Sequence, residues 1–266
     1  MAKLTLTEIW IYPIKSLAGI RVQQATVKQK GLEHDRRFML VDEGGRFFTQ
    51  REHPHMALFS VSIANDQMTI ESKTSKRNLT IELKPNGGKP LSVQIWDDKV
   101  DAREVDPVYS NWFSQELKIT CKLIYFPESN LRDVDPRYAG ANEQVSLADG
   151  YPCLIIGQSS LDDLNNRLEV PIPMKRFRPN FVFAGGAPFE EDDWKNFKIG
   201  KNRFAAVKLC ARCVLTTVDP DTGIKGKEPL VTLATFRKKE NKILFGQNLL
   251  PIDYDEVREG DEIELC

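Results

Sequence analysis

Residues 59–105 read FSVSIANDQMTIESKTSKRNLTIELKPNGGKPLSVQIWDDKVDAREV. In this stretch, short runs of β-branched and aromatic residues alternate with polar residues, and alternation with a period of two predicts half-buried strands. Turn-forming sequences separate the runs, among them residues 64–66 (AND) and 85–88 (PNGG). Many short strands at this spacing are typical of a barrel or a sandwich.

The same pattern continues on both sides of this stretch. An apolar segment at 153–156 opens the second half of the chain, which is mixed but dominated by strands. We predict strands at residues 4–12, 38–41, 46–49, 56–63, 67–71, 79–83, 91–95, 100–105, 180–184, 204–209, 214–218 and 242–248.

Three helices are predicted between the strands. The first begins at Pro107, because proline suits the first helical position, and the second has Ser159 as its N-cap. The third covers residues 229–237. A polar stretch follows residue 125, so we place a domain boundary there and predict a β-dominated α+β protein with domains 1–125 and 126–266.

The composition excludes several classes of protein. Of the 266 residues, 41% are hydrophobic and 28% are charged, which is typical of a globular protein and not of a disordered chain. The net charge of -1 provides no general attraction for nucleic acid, so we expect no nucleic acid partner. No apolar run approaches the ~20 residues of a membrane span, and residues 1–16 do not resemble a signal peptide. The odd number of five cysteines does not suit a disulfide scaffold, and we predict a cytoplasmic protein with reduced thiols.

The densest chemical signal is residues 208–223, KLCARCVLTTVDPDTG. Cys210 and Cys213 form a CxxC pair, and the neighbouring Arg212 favours a thiolate. A structural zinc site would need four ligands, and no second CxxC is present. A redox dithiol usually begins a helix, whereas residues 214–218 predict a strand. The spacing alone also permits two buried thiols without chemical function.

Basic residues in several segments are candidate anion ligands. Lys15-Ser16 follows the first predicted strand, Arg36 precedes another, and Arg178 stands just before Asn180. Guanidinium and ammonium groups are the donors that bind phosphate, although each residue taken singly is also explained as a surface charge. Asp149 lies in an Asp-Gly pair that is most simply a turn.

Taken together, these segments resemble a known family. In order along the chain they are YPIKSLAG (12–19), GLEHDRRFMLVDEGGRFFTQRE (31–52), SLADGYPCLIIGQSSLDDLNNRL (146–168), KRFRPNFVF (175–183), CARCVLTTVDPDTG (210–223), KEPLVTLATFR (227–237) and LFGQN (244–248). The sequence is similar to MOSC-domain proteins that carry a MOSC N-terminal β-barrel domain, the family of the mitochondrial amidoxime-reducing component and its bacterial relatives. The resemblance covers nearly the whole chain and implies an N-terminal β-barrel-type domain packed on a MOSC β-barrel with a few helices.

The resemblance also implies a molybdenum cofactor, a pterin dithiolene with a phosphate tail, held between the two domains. By this resemblance Cys213 ligates molybdenum, Cys210 is structural, and Asp149 lies near the metal, where it could handle a proton or an oxygen atom. Arg36 and Arg178, one from each domain, would clamp the phosphate. The full set of cofactor contacts implied by the resemblance is Lys15, Ser16, Arg36, Arg178, Asn180, Ala211, Arg212 and Cys213.

The implied activity is molybdenum-dependent reduction of N-hydroxylated compounds such as amidoximes, hydroxylamines and N-hydroxylated bases, a detoxification reaction. Some relatives end with an iron-sulfur domain, whereas this sequence ends at Cys266 without cluster-spaced cysteines. We therefore expect a separate electron donor, an iron-sulfur or haem carrier served by a flavin reductase. A second hypothesis is a cofactor carrier or sulfur-transfer protein, with Cys213 as persulfide or cofactor anchor. A third is a binding module without turnover.

Overall fold

The structure, a computed structural model, describes residues 3–266. Strands predominate, which confirms the predicted β-dominated α+β class. The strands of the first half are β1 (Thr5–Ile11), β2 (Ile20–Val22), β3 (Gln24–Lys28), β4 (Gly31–Leu32), β5 (Phe38–Val41), β6 (Phe59–Ala64), β7 (Gln67–Ser72), β8 (Asn78–Glu82), β9 (Lys89–Ile95), β10 (Asp98–Glu104) and β11 (Lys122–Tyr125). Those of the second half are β12 (Cys153–Gly157), β13 (Phe181–Ala184), β14 (Asn196–Ile199), β15 (Asn202–Ala211), β16 (Lys238–Lys239), β17 (Lys242–Pro251), β18 (Glu256–Arg258) and β19 (Ile263–Leu265).

Three α-helices lie at or near the predicted positions: α1 (Pro107–Leu117), α2 (Gln158–Asn165) and α3 (Leu230–Phe236). Helix α1 is capped by Asp106, whose carboxylate accepts a hydrogen bond from the Val108 amide at 2.8 Å. It buries Trp112 and Phe113 against Phe59, and this aromatic cluster anchors the helix to the sheets of the first half.

The largest sheet combines strands from both ends of the chain. Its order is β19-β14-β15-β17-β12-β13-β1-β2, and β16 pairs with β17. Strand β1 pairs antiparallel with β13, which is parallel to β12. Strand β3 likewise pairs with β18. The first four strands therefore pack in the same core as the C-terminal strands, while the predicted boundary between residues 125 and 126 stays a prediction.

Two further sheets lie in the first half; the pairs β6-β7, β7-β8 and β9-β10 are local hairpins, whereas β5 pairs with the distant β11. One has the order β5-β11-β10-β9 and the other β6-β7-β8. They enclose a core with α1 in which Phe38, Met68 and Phe113 are fully buried. Strands β6 to β10 are the ones that the alternating pattern of residues 59–105 predicted most closely.

Four local predictions are wrong. Residues 214–218 form a 3₁₀ helix (Val214–Thr217) instead of a strand, because the Thr216 and Thr217 hydroxyls donate to carbonyls three residues earlier. Residues 46–49 make only isolated bridges. Residues 56–58 belong to a 3₁₀ helix that begins at Pro54. The N-cap of α2 is Gly157, two residues before the predicted Ser159.

Within the described residues, no helix is both long enough and apolar enough to span a membrane.

Candidate functional site

A cavity of about 130 Å³ lies where the segments after β1 and β4 meet the C-terminal sheet. It is bounded by the end of β15, the start of β12 and the loop before β13. All the predicted site residues line it, although they are spread over almost two hundred positions of the sequence. They are Lys15, Ser16, Arg36, Asp149, Arg178, Asn180, Ala211, Arg212 and Cys213.

One end of the cavity is built around the buried ring of Tyr12. The Arg36 and Arg178 guanidinium carbons lie 4.3 and 4.1 Å from the ring centroid, so the two side chains share one aromatic platform. The Tyr12 hydroxyl donates to the Pro179 carbonyl at 3.0 Å, which fixes the ring. A methyl group at Gly19 would lie 2.4 Å from Tyr12 Cε1, so only glycine permits this packing. We call this group of Tyr12, Arg36 and Arg178 the guanidinium end.

Buried polar groups hold the guanidinium end in position. Asp35, fully buried, accepts from the Tyr12 amide at 2.8 Å and from Arg36 Nη1 at 2.6 Å. Asn180 Oδ1 accepts from Arg36 Nη1 at 3.2 Å, and Arg178 Nη1 donates to the Leu17 carbonyl at 2.6 Å. Burial lowers the pKa of Arg178 to about 10, which shows the cost of placing this cation away from water.

Three residues of the cavity adopt left-handed backbone conformations that non-glycine residues rarely take. The φ angles are 67° at Ser16, 52° at Arg36 and 55° at Arg178. Such strain persists only where the surrounding structure enforces it, and it concentrates at functional sites. The backbone is therefore shaped to direct these side chains into one space.

Lys15 and Asp149 connect this region to the opposite end of the cavity. Lys15 Nζ donates to the Leu147 carbonyl at 2.9 Å and to Asp149 Oδ1 at 2.5 Å. Burial lowers the pKa of Lys15 to about 8, and the Asp149 carboxylate only partly opposes this. Burial would raise the pKa of Asp149, but Lys15 and Arg51 together lower it well below its usual range. Asp149 is therefore ionised near neutral pH.

The opposite end of the cavity centres on Cys213, which precedes the 3₁₀ helix Val214–Thr217. Arg51 Nε donates to Cys213 Sγ at 3.1 Å, and Arg51 Nη2 donates to Asp149 Oδ2 at 2.6 Å. One guanidinium thus ties the thiol to the carboxylate. We call this group of Cys213, Arg51 and Asp149 the thiol end.

The second cysteine of the motif has different surroundings. Arg212 Nη1 donates to Cys210 Sγ at 2.9 Å, so the cation nearest in sequence to Cys213 serves Cys210 instead. The Arg212 amide donates to the Ile243 carbonyl at 2.7 Å and is not available to a ligand. Arg212 Nε is buried and has no partner within the described residues, which leaves a donor for a bound group.

An outer cleft of about 710 Å³ adjoins the thiol end. The two spaces share Arg51, Asp149, Cys210 and Cys213. Trp96, Lys208 and the segment 132–136 form its outer walls. A molecule in this cleft would reach Cys213 from the side opposite the guanidinium end.

The charges in the cavity are strongly unbalanced. Two carboxylates, Asp149 and the Asp35 that pairs with Arg36, stand against the five cations that line it: Lys15, Arg36, Arg51, Arg178 and Arg212. Buried cations without matching anions are costly, and a bound dianion would relieve that cost. The cationic donor set fits a phosphate, the unpartnered Arg212 Nε leaves a donor for another part of the same group, and the Cys213 thiol at the far end could supply a sulfur ligand to a metal.

Two important residues were missed from the sequence. Arg51 stands in the motif FFTQRE, but its contact with Cys213 joins positions 162 residues apart. Tyr12 begins the motif YPIKSLAG, yet its aromatic role needs Arg36 and Arg178 to be brought together by the fold. The motifs themselves were the available signal, since both residues lie within segments that carry the family resemblance.

Comparison with known families matches the two halves of the chain to two domains. Residues 3–120 match the MOSC N-terminal beta barrel domain, and residues 142–264 match the MOSC domain. The chain belongs to the family of MOSC-domain proteins with an N-terminal MOSC beta barrel.

Individual relatives extend over nearly the whole chain. Mitochondrial amidoxime-reducing component 1 of Mus musculus is 34% identical across 98% of this chain and 82% of its own length. Mitochondrial amidoxime reducing component 2 of Homo sapiens is 34% identical across 88% of this chain and 72% of its own length. Molybdenum cofactor sulfurase of Oryza sativa subsp. japonica is 30% identical across 96% of this chain, which spans only 33% of that relative.

Proposed function

We propose that the cavity holds a molybdenum cofactor and that the protein reduces N-hydroxylated compounds such as amidoximes. The observation that carries this proposal is one cavity that is lined by five cations and also contains the Cys213 thiol, which accepts a hydrogen bond from Arg51. The names of the relatives, which refer to amidoxime reduction and to the molybdenum cofactor, support it.

In this proposal the guanidinium end binds the phosphate of the cofactor. Arg36 and Arg178 supply two guanidinium groups on the Tyr12 ring, and Lys15 and Ser16 add an ammonium and a hydroxyl. Asn180 positions Arg36. Near Ala211 the pterin would meet the Arg212 side chain, whose Nε lacks a partner among the described residues.

At the thiol end, Cys213 is the protein ligand for molybdenum. The metal supplies the two-electron oxygen-atom chemistry of the reaction when it is bound. For an amidoxime, the N–O bond breaks, and two electrons and two protons convert the substrate into an amidine and water. Arg51 orients the Cys213 sulfur and stabilises its thiolate by donating Nε–H to it.

In this proposal Asp149 does not act as a proton donor, although a carboxylic acid in an active site often does. Asp149 is ionised near neutral pH, so it acts as a negative charge and as an acceptor for Lys15 and Arg51. The proton at this point of the cavity resides on Lys15, whose pKa of about 8 suits exchange near neutral pH. We therefore assign Asp149 to positioning both cations, and proton exchange to Lys15.

We further propose that electrons arrive from a separate cytoplasmic partner, an iron-sulfur or haem carrier served by a flavin reductase. All five cysteines are free thiols: Cys121 is buried, Cys266 is exposed, and Cys153, Cys210 and Cys213 line the cavity. We expect amidoxime turnover with reduced viologen and negligible turnover with NADH alone. Strong NADH-driven turnover by the isolated chain would contradict the separate donor.

The test of the main proposal combines composition and activity. The protein, produced in a host that makes the cofactor, should retain molybdenum in near-equimolar amount and should reduce benzamidoxime to benzamidine with reduced viologen as donor. Cys210→Ser is the matched control for substitution of Cys213, because it removes the other thiol of the motif and keeps the proposed ligand. A wild-type protein that binds no molybdenum, or binds it without reducing benzamidoxime, would refute the proposal.

A sulfur-transfer protein is the second candidate. The specific observation in its favour is the similarity of 96% of this chain to part of a molybdenum cofactor sulfurase. Cys213 would then carry a persulfide, with Arg51 stabilising its anionic form. Cyanide-labile sulfur on Cys213 in protein that lacks molybdenum would favour this candidate over the reductase.

A further inference from the structure

Trp96 is a large aromatic residue at the tip of the hairpin between β9 and β10. Its φ is 55°, in the left-handed region that turns of this kind usually fill with glycine or asparagine. Gln94 Nε2 donates to the Trp96 carbonyl at 3.0 Å and holds the turn. A bulky residue in this conformation weakens the hairpin, which indicates that the indole serves another purpose.

The indole ring packs next to the thiol end. The Arg51 guanidinium carbon lies 4.6 Å from the ring centroid, and the Phe47 ring centroid lies at 5.1 Å. This is the same guanidinium that donates to Cys213 and Asp149. Although these contacts hold the ring, 43% of Trp96 remains exposed along the outer cleft. An aromatic surface is thus presented one side chain away from Cys213.

The charges around Trp96 limit what the outer cleft can bind. Asp98 pairs with Arg132, Asp135 with Arg137, and Asp149 with Arg51 and Lys15. Among the charged groups that line the cleft, Asp97 and Asp133 remain against Lys208, and this small excess of negative charge disfavours anionic ligands. Neutral and cationic molecules are favoured. An amidoxime is neutral, and the amidine formed from it is a cation.

We infer that Trp96 determines substrate specificity by stacking on flat, conjugated N-hydroxylated compounds in the outer cleft. The inference rests on the proposed function and narrows its substrate class to planar, non-anionic molecules. Stacking on an indole orients a planar substrate along the wall that leads to Cys213, and a compact aliphatic substrate gains little from it.

The inference is tested with three small probes that differ in whether they carry a flat ring and in the sign of their charge. Benzamidine is flat and cationic, acetamidine is cationic but lacks the ring, and benzoate is flat but anionic. Calorimetric titration of the full-length protein should show the tightest binding for benzamidine. Trp96→Ala should weaken benzamidine binding about tenfold and acetamidine binding less than twofold, with Trp96→Phe in between.

Kinetics of the cofactor-loaded protein provide a second readout. Trp96→Ala should raise the KM for benzamidoxime about tenfold and leave the KM for acetamidoxime and both kcat values within about twofold. Tyr254→Ala is the matched control, because Tyr254 is an exposed aromatic residue (52%) that does not line the outer cleft. It should change none of these quantities.

Two results would overturn the inference. Equal loss of benzamidine and acetamidine binding in both Trp96 variants would mean that the ring only supports Arg51, and unchanged binding would mean that it contacts no ligand. If Trp96→Ala does not fold, Trp96→Phe decides between these outcomes. Trp96-dependent binding in a protein that reduces no amidoxime would refute the proposed reductase and leave the binding role of Trp96 intact.

Discussion

The two ends of the cavity are built for different tasks. At the guanidinium end, Tyr12, Arg36 and Arg178 are held by the Pro179 and Leu17 carbonyls and by Asp35, and none of the three lines the outer cleft. At the thiol end, Cys213, Arg51 and Asp149 line both the cavity and the outer cleft, so this group opens into that cleft. The difference indicates that one end retains a ligand while the other is accessible for chemistry.

The largest expected effect concerns the thiol end. Cys213→Ser should abolish benzamidoxime reduction, because it removes the thiolate sulfur that we propose as the molybdenum ligand and on which the reactivity of the metal depends. Cys210→Ser should retain partial activity, since Cys210 bonds to Arg212 and not to Arg51. Equal loss of activity in the two variants would indicate a dithiol mechanism and would remove the distinction between the cysteines.

Substitutions at the guanidinium end should change how much cofactor the protein retains and not how the bound cofactor reacts. In the Arg36→Ala, Arg178→Ala double variant we expect at least a tenfold loss of bound cofactor, because both guanidinium groups that we propose as phosphate ligands are removed. The corresponding double lysine variant should recover only part of it, since the bidentate geometry is lost. The measurement is molybdenum and pterin content per chain. Normal content in the double alanine variant would show that the arginines are not the clamp.

A smaller effect should follow from crowding the Tyr12 platform. Gly19→Ala places a methyl group 2.4 Å from Tyr12 Cε1, and the ring cannot move freely between two guanidinium groups. We expect a loss of stability of about 1–3 kcal/mol and reduced cofactor retention. Gly140→Ala is the control, because no atom lies within 4 Å of the added methyl group there. Equal denaturation midpoints for the two variants would contradict the close packing.

The smallest effect is a pH dependence of the ligand-free protein. Burial lowers the pKa of Lys15 to about 8 from 10.5, so between these values the unfolded chain binds the proton more tightly. The contribution of Lys15 to the free energy of unfolding should therefore rise with pH from about 8 to above 10, by at most about 1.4 kcal/mol per pH unit. Comparing unfolding free energies of wild type and Lys15→Met across this range checks it. A difference that stays constant or falls would show that Lys15 is not desolvated.

Local patterns predicted the parts of the fold that are local. The strands of residues 67–104 pair with their neighbours in hairpins, so alternation and turn sequences were sufficient. The segment 214–218 misled because the β-branched residues that favour a strand include two threonines whose hydroxyls stabilise a 3₁₀ turn. Side-chain hydrogen bonds of this kind depend on the exact local conformation and do not appear in propensities.

The site could be predicted only as far as its motifs extend. Arg36 and Arg178 taken singly resemble surface charges, and their burial depends on Tyr12 and Asp35. Resemblance to the family identified them as a set, and the structure brings the whole set to one cavity. Arg51 remained unidentified because its function arises from a contact across 162 positions, for which no spacing rule exists.

The pairing of β1 with β13 also has a consequence for synthesis in the cell. Strand β1 leaves the ribosome first, but its partner Phe181–Ala184 is translated about 170 residues later, and β3 must wait for Glu256–Arg258. Tyr12 and Lys15 directly follow β1, so the wall that they form has no fixed position on the nascent chain. Contacts this distant in sequence form late in folding. The cavity wall is therefore completed only after Glu256–Arg258 has been translated, and a ligand that needs the whole wall cannot be bound before that point.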